Sequence, residues 1–204
     1  MKKILNNKKC IAIALLVIGG LCISVYSLRA YHAYQQWQYI QHQGINTGGA
    51  NVGAIRPWMT MRYVSVAYAV PQEYIFDSLN IPHNRQNSNK TLGSLTQQFQ
   101  FQPQSENNNV STFILIVGDT ITAYRQNPVA SGLKDIRPWM TLQYIANSTG
   151  TPIEDLFSQL NITADNNNGF KPLKNLVNES DFEGGITHLI DNIENVLSRD
   201  QGNQ

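Results

Sequence analysis

A 27-residue stretch of this chain occurs twice. Residues 55–81 read IRPWMTMRYVSVAYAVPQEYIFDSLNI, and residues 136–162 read IRPWMTLQYIANSTGTPIEDLFSQLNI. Thirteen of the 27 positions are identical at a constant offset of 81 residues with no gap, and the offset still holds where Leu92 and Leu95 meet Leu173 and Leu176. A period of that size implies two copies of one small folding unit, each larger than a solenoid repeat. Whatever the chain folds into must therefore accommodate the same local structure twice.

Within each copy the punctuation is helical. Thr60 and Thr141 are N-cap candidates, because a threonine hydroxyl can accept from a backbone N–H that the first helical turn leaves unpaired. Pro71 and Pro152 stand where a second helix would place its first residue, and in the second copy Thr151, Pro152, Ile153 and Glu154 spell a capping box. Tyr63, Val64 and Ala67, like Tyr144, Ile145 and Ser148, share one helix face. Ile75, Phe76, Leu79 and Ile81 repeat as Leu156, Phe157, Leu160 and Ile162, an apolar stripe at helical spacing. Tyr63, Phe76 and Leu79, with Tyr144, Phe157 and Leu160, are the expected core of the repeat. A polar loop, a short third helix with the paired leucines and a fourth helix complete each unit.

In the second copy that fourth helix shows Ile186, Leu189, Ile190, Ile193, Val196 and Leu197 at i, i+3, i+4, i+7 spacing. In the first, Val110, Phe113, Ile114, Val117 and Ile121 do the same, while Leu115 and Ile116 add apolar residues on the outer face. This predicts that the first copy's fourth helix is buried between the two units. Its β-branched run, residues 112–117, leaves a strand as the rival reading.

Ahead of the repeats, residues 10–28 are 19 residues without a charge. At about 1.5 Å per residue they reach across a bilayer's hydrocarbon core. The run exceeds a usual signal-peptide core and lacks a clean small-residue cleavage site, which favours an uncleaved anchor over a secretory leader. Lys2, Lys3, Lys8 and Lys9 precede it and Arg29 alone follows closely, which sets the N-terminus in the cytoplasm and the body outside it. The expected organisation is a cytoplasmic tail (1–9), an anchor (10–28), a juxtamembrane stalk and flexible linker (29–52) and helical repeats at 53–127 and 134–200. The fold class is all-α. The location is the inner (plasma) membrane, single-pass, with a periplasmic or otherwise extracytoplasmic body. Tyr31, Tyr34, Trp37 and Tyr39 suit a headgroup layer, and a dimerising or partner-binding stalk is the alternative for that segment.

Charge narrows the function classes. Only 14% of residues are charged, and from residue 29 onward 11 basic residues face 14 acidic ones. Nucleic-acid binding needs a basic face to neutralise phosphates, so none is expected. The histidines, His32, His42, His83 and His188, show no metal-ligand spacing, and no phosphate loop or nucleophile elbow is present. Glu154 with Asp155, and Asp181 with Glu183, read as solvated faces rather than an acid–base pair. No metal, cofactor or catalysis is expected. The strongest site candidates are Arg56 and Trp58 with Arg137 and Trp139. They serve either as a structural plug, with Arg stacked on Trp or paired with Glu73 or Glu154, or as an aromatic anchor beside a charged fork for a partner.

The words IRPWMT, Tyr-(Val/Ile), and the Pro-headed second helix resemble a small helical, helix-turn-helix-like module. That module is appended to bacterial membrane-bound ferredoxin-type and cytochrome-b-like electron-transfer proteins. The resemblance implies an accessory or docking role toward another membrane or envelope protein, without a redox centre, since ferredoxin cysteines and paired haem-ligating histidines are missing. Residues 141–162 are also similar to the helical centre of a LysM peptidoglycan-binding module, which would need a strand on each side. They are similar too to a DNA-binding helix-turn-helix, the reading that would make the chain a cytoplasmic regulator; there Glu73 and Asp77, or Glu154 and Asp155, would meet phosphates.

Overall fold

The computed structural model describes residues 2–45, 50–99, 109–133, 135–165, 167–179, 182 and 184–201. Asp181, Glu183, Lys134 and part of the expected linker lie outside the described residues. The chain is all-helical: ten α-helices, with no strand among the described residues. It divides into two compact units, residues 1–42 and residues 43–204.

The first unit is α1 (Lys2–His42), an uninterrupted 41-residue helix. It is long and apolar enough to cross a membrane by length and composition. Ser24 donates to the Gly20 carbonyl (2.9 Å), which satisfies a hydroxyl inside the apolar run. Further along, polar partners sit one turn apart. Gln35 and Gln38 donate to the hydroxyls of Tyr31 and Tyr34 (2.7 and 2.8 Å), and Tyr34 stacks on Trp37. Such i, i+4 pairs support a helix that continues beyond its apolar part.

In the second unit the first copy contributes α2 (Met61–Ala67), α3 (Gln72–Ser78), α4 (Arg85–Asn89), α5 (Leu92–Gln98) and α6 (Asn109–Gln126). The second contributes α7 (Leu142–Thr149), α8 (Ile153–Gln159), α9 (Leu173–Glu179) and α10 (Gly185–Gln201). Thr60 and Thr141 cap α2 and α7 as the sequence suggests, each accepting at 3.1 Å from the N–H of Tyr63 or Tyr144. The chain before each helix pair is then clasped to the chain after it. Leu92 N–H donates to the Met59 carbonyl and Leu173 N–H to the Met140 carbonyl, both at 2.8 Å, with single antiparallel bridges at Thr60–Thr91 and Thr141–Pro172. Phe76, Leu79, Tyr144, Phe157 and Leu160 are buried as expected, while Tyr63 is half-buried.

Several expectations need correction. Pro71 and Pro152 are the N-caps of α3 and α8 rather than their first residues, and neither helix has a side-chain cap bond. The Thr151 capping box therefore does not form: Thr151 lies one residue outside and its N–H turns to the Thr149 hydroxyl (3.4 Å). The polar loop of the first copy holds α4, nucleated by Asn84, whose side chain accepts from the Asn87 N–H (2.8 Å). Residues 112–117 are helical, not a strand. Most consequentially, Leu115 and Ile116 stand 66% and 37% exposed. So α6 buries one stripe, Phe113, Val117, Ile121 and Tyr124, and is not enclosed between the copies. Within the stretch read as a flexible linker, Ile45 and Ala50 are buried, and Val52 lies against α6 at Gly118.

The helix ends differ between copies in a way that can be measured. Both α3 and α8 close on a left-handed asparagine (Asn80 and Asn161, φ 53°), with Ile81 and Ile162 donating back to Phe76 and Phe157. At the end of α7, Gly150 adopts φ 79°; its counterpart after α2 is Ala69, at φ 53°. A β-carbon in that region costs about 1–2 kcal/mol. Ala69→Gly is therefore expected to raise stability by up to about 1 kcal/mol once the extra freedom of an unfolded glycine is deducted. Gly150→Ala should lower it by roughly 1–2 kcal/mol, its new methyl also meeting the Ala130 β-carbon at 3.3 Å. Urea midpoints of the two variants moving in the same direction would contradict this.

Candidate functional site

The two copies meet along a short set of bonds. Asn147 on α7 donates from its side-chain amide to the Ala69 carbonyl (2.6 Å), and the Tyr124 hydroxyl on α6 donates to the Asn147 carbonyl (3.2 Å). The Tyr144 hydroxyl accepts from the Gln72 N–H at 3.4 Å. Val66 on α2 packs against the core of the second copy. Where these surfaces part, a cleft of about 520 Å³ opens, lined from the first copy by Arg62, Gln72, Glu73, His83, Arg85 and Ser88. Leu133, Asp135, Arg137, Trp139, Met140 and Tyr144 close it from the second. That volume is in the range of clefts that hold an organic ligand or a few side chains.

The cleft draws in half of the candidate site. Arg137 and Trp139 line it; Arg56 and Trp58 do not. The first triplet instead belongs to its own copy. The Arg56 guanidinium donates to the Gly53 and Ile55 carbonyls (2.7 and 2.8 Å), and the Trp58 ring lies 6.3 Å from Tyr63. In the second copy the cation over the indole is not Arg137. Arg62 of the first copy lies 5.0 Å from the Trp139 ring centroid, and Arg137 pairs with Asp135 at 2.7 Å. Glu73 pairs with His83 (3.2 Å), whose ring stacks on buried Phe76 at 5.1 Å. Arg62 is also held by the side-chain carbonyl of Asn89.

Burial perturbs the tyrosines around this junction. Tyr144 is pushed up to about 12, chiefly by desolvation, with the Glu73 charge adding to it. Tyr63 is likewise pushed up to about 12 by burial, and Tyr124 is raised for the same reason. These hydroxyls stay protonated at neutral pH, and those of Tyr144 and Tyr124 hydrogen-bond across the junction. Among the described residues no three His, Cys, Asp or Glu side chains converge as a metal site would require.

Arg62, Arg85, Glu73 and His83 were not singled out as a site by sequence reasoning. One signal was available: at the 81-residue offset Arg62, His83 and Arg85 correspond to Gln143, Ala164 and Asn166. At these three positions the first copy carries basic side chains where its duplicate carries neutral ones. No family model, curated protein or solved structure matches this chain.

Proposed function

We propose that this chain is a membrane-tethered, non-catalytic docking protein. In this reading α1 is the anchor, with its lysine-rich end in the cytoplasm. Two tandem copies of one helical module, akin to that of bacterial membrane electron-transfer proteins, are displayed outside the cytoplasm to receive another membrane or envelope protein. The observation that carries the reading is the cleft at the junction of the copies. It combines a half-buried indole, Trp139, with guanidinium groups above and beside it, the pairing that recurs at the energetic centres of protein interfaces.

The test has two arms. A phosphatase fused after Gln204 should be active and a fluorescent reporter there dark; the reverse pattern would refute the exported body. A photo-crosslinker at position 137 should then yield one discrete protein adduct that Trp139→Ala removes, whereas the same probe at exposed Glu194 yields none. Equal adducts from both positions would sink the cleft as the docking site. A LysM-like wall-binding role is the second reading, favoured by the antiparallel clasp that joins the flanks of each helix pair. Its signature would be co-sedimentation of the full chain with insoluble peptidoglycan.

A further inference from the structure

Residues 43–204 carry ten basic and fourteen acidic residues, so the second unit is acidic as a whole. The cleft reverses that balance: three arginines and one histidine line it against two carboxylates. Both carboxylates are already committed, Glu73 to His83 and Asp135 to Arg137. Arg62 and Arg85 therefore face the cleft without a carboxylate among the described residues. They also come from neighbouring elements of the first copy. Arg62 is anchored on Asn89, and the Asn89 amide donates to the Arg85 carbonyl one turn back on α4 (2.9 Å). Asn89 and Arg85 lie one turn apart on α4, and Arg62 and Arg85 both line the cleft from the first copy. An anion entering the cleft would be attracted by both positive charges.

We propose that the cleft receives an acidic peptide segment of the docked partner, a carboxylate side chain being forked by Arg62 and Arg85; this rests on the docking reading above. Guanidinium groups match the planar, two-oxygen geometry of a carboxylate. The remaining wall fits a peptide better than a bare ion: Trp139, Leu133 and Met140 offer apolar surface. The volume, about 520 Å³, is that of an organic ligand rather than a single small anion. The two arginines have no equivalents in the second copy, so one acidic segment binds per chain.

The full chain in uncharged detergent, titrated calorimetrically with acetylated hexaglutamate amide, tests this. Saturable binding with one site per chain is expected, weakening steeply as salt is added, while hexaglutamine gives no heat. Arg85→Gln should weaken binding about tenfold or more without shifting the melting temperature, since Arg85 makes no side-chain bond among the described residues. Arg62→Gln should weaken binding too, and Lys174→Gln, away from the cleft, should not. Unchanged affinity in Arg85→Gln, full competition by inorganic phosphate, or no saturable binding would each overturn the proposal. So would Arg85-dependent sedimentation with peptidoglycan, which would assign the arginines to a cell-wall acid instead. Position-137 adducts without hexaglutamate binding would sink this inference alone. Binding without adducts would sink the docking reading and leave the cleft chemistry standing.

Discussion

Tyr144→Ala is expected to cost about 3–5 kcal/mol of the stability of residues 43–204, the range for deleting a buried aromatic side chain. Tyr144 is 2% exposed, belongs to the core of the second copy, and its ring lies 6.1 Å from Trp139. It also reaches across the junction to take the Gln72 N–H. Truncation opens a cavity, leaves that buried N–H without its acceptor and frees the indole that forms the cleft wall. Urea unfolding followed by tryptophan fluorescence should show the lower midpoint, and position-137 cross-linking should fall with it. Tyr63→Ala, at the same place in the first copy, should cost clearly less because Tyr63 is only half-buried. Equal losses at the two positions would mean that the copies share the junction's load symmetrically, contrary to the bonding described above.

Alkali should destabilise the body through the same residue. Below the ordinary tyrosine pKa of about 10, Tyr144 is neutral both folded and unfolded, and its burial adds no pH dependence. Above it the unfolded chain ionises while folded Tyr144, pushed up to about 12, holds its proton. Stability present below pH 10 is therefore lost progressively as pH rises toward 12. The loss is roughly 2–3 kcal/mol from Tyr144 for a shift of that size. Tyr63 titrates in the same window, and Tyr124 contributes in the same direction. Melting temperatures measured between pH 9 and about 12 should fall, and Tyr144→Phe should flatten part of that fall while costing only about 1 kcal/mol at neutral pH for its one hydrogen bond. An identical alkaline slope in Tyr144→Phe would show that its hydroxyl is not desolvated.

Much of this architecture was legible before any coordinates. The threonine caps, the paired-leucine helices α5 and α9, the amphipathic α10 and the apolar α1 all follow from relations spanning a few residues. Misreadings arose where local rules competed. Thr151 and Pro152 both suit a helix start, and the chain placed proline at the cap, one residue later than the capping box requires. Asn84 outweighed the turn-like composition around it and nucleated α4. Leu115 and Ile116 looked buried because apolar residues usually are, yet a helix can leave such residues in water when its stripe of Phe113, Val117 and Ile121 is satisfied.

The site was legible only in part. Trp139 and Arg137 stood out because they recur as words, but repetition marked the equivalent Trp58 and Arg56 just as strongly, and those remain outside the cleft. By itself the sequence determined the helices of the two copies, their threonine caps and the long apolar α1, since each rests on hydrogen bonds and periodicities within about one to four turns. Only the tertiary structure decided that Arg62 covers Trp139, that Gln72 meets Tyr144 and that Asn147 holds Ala69. The two hydrogen-bonded pairs are 72 and 78 residues apart, and Arg62 and Trp139 likewise sit on different copies. Such partners are chosen by how one copy's surface packs on the other, and no local pattern of residues encodes that choice.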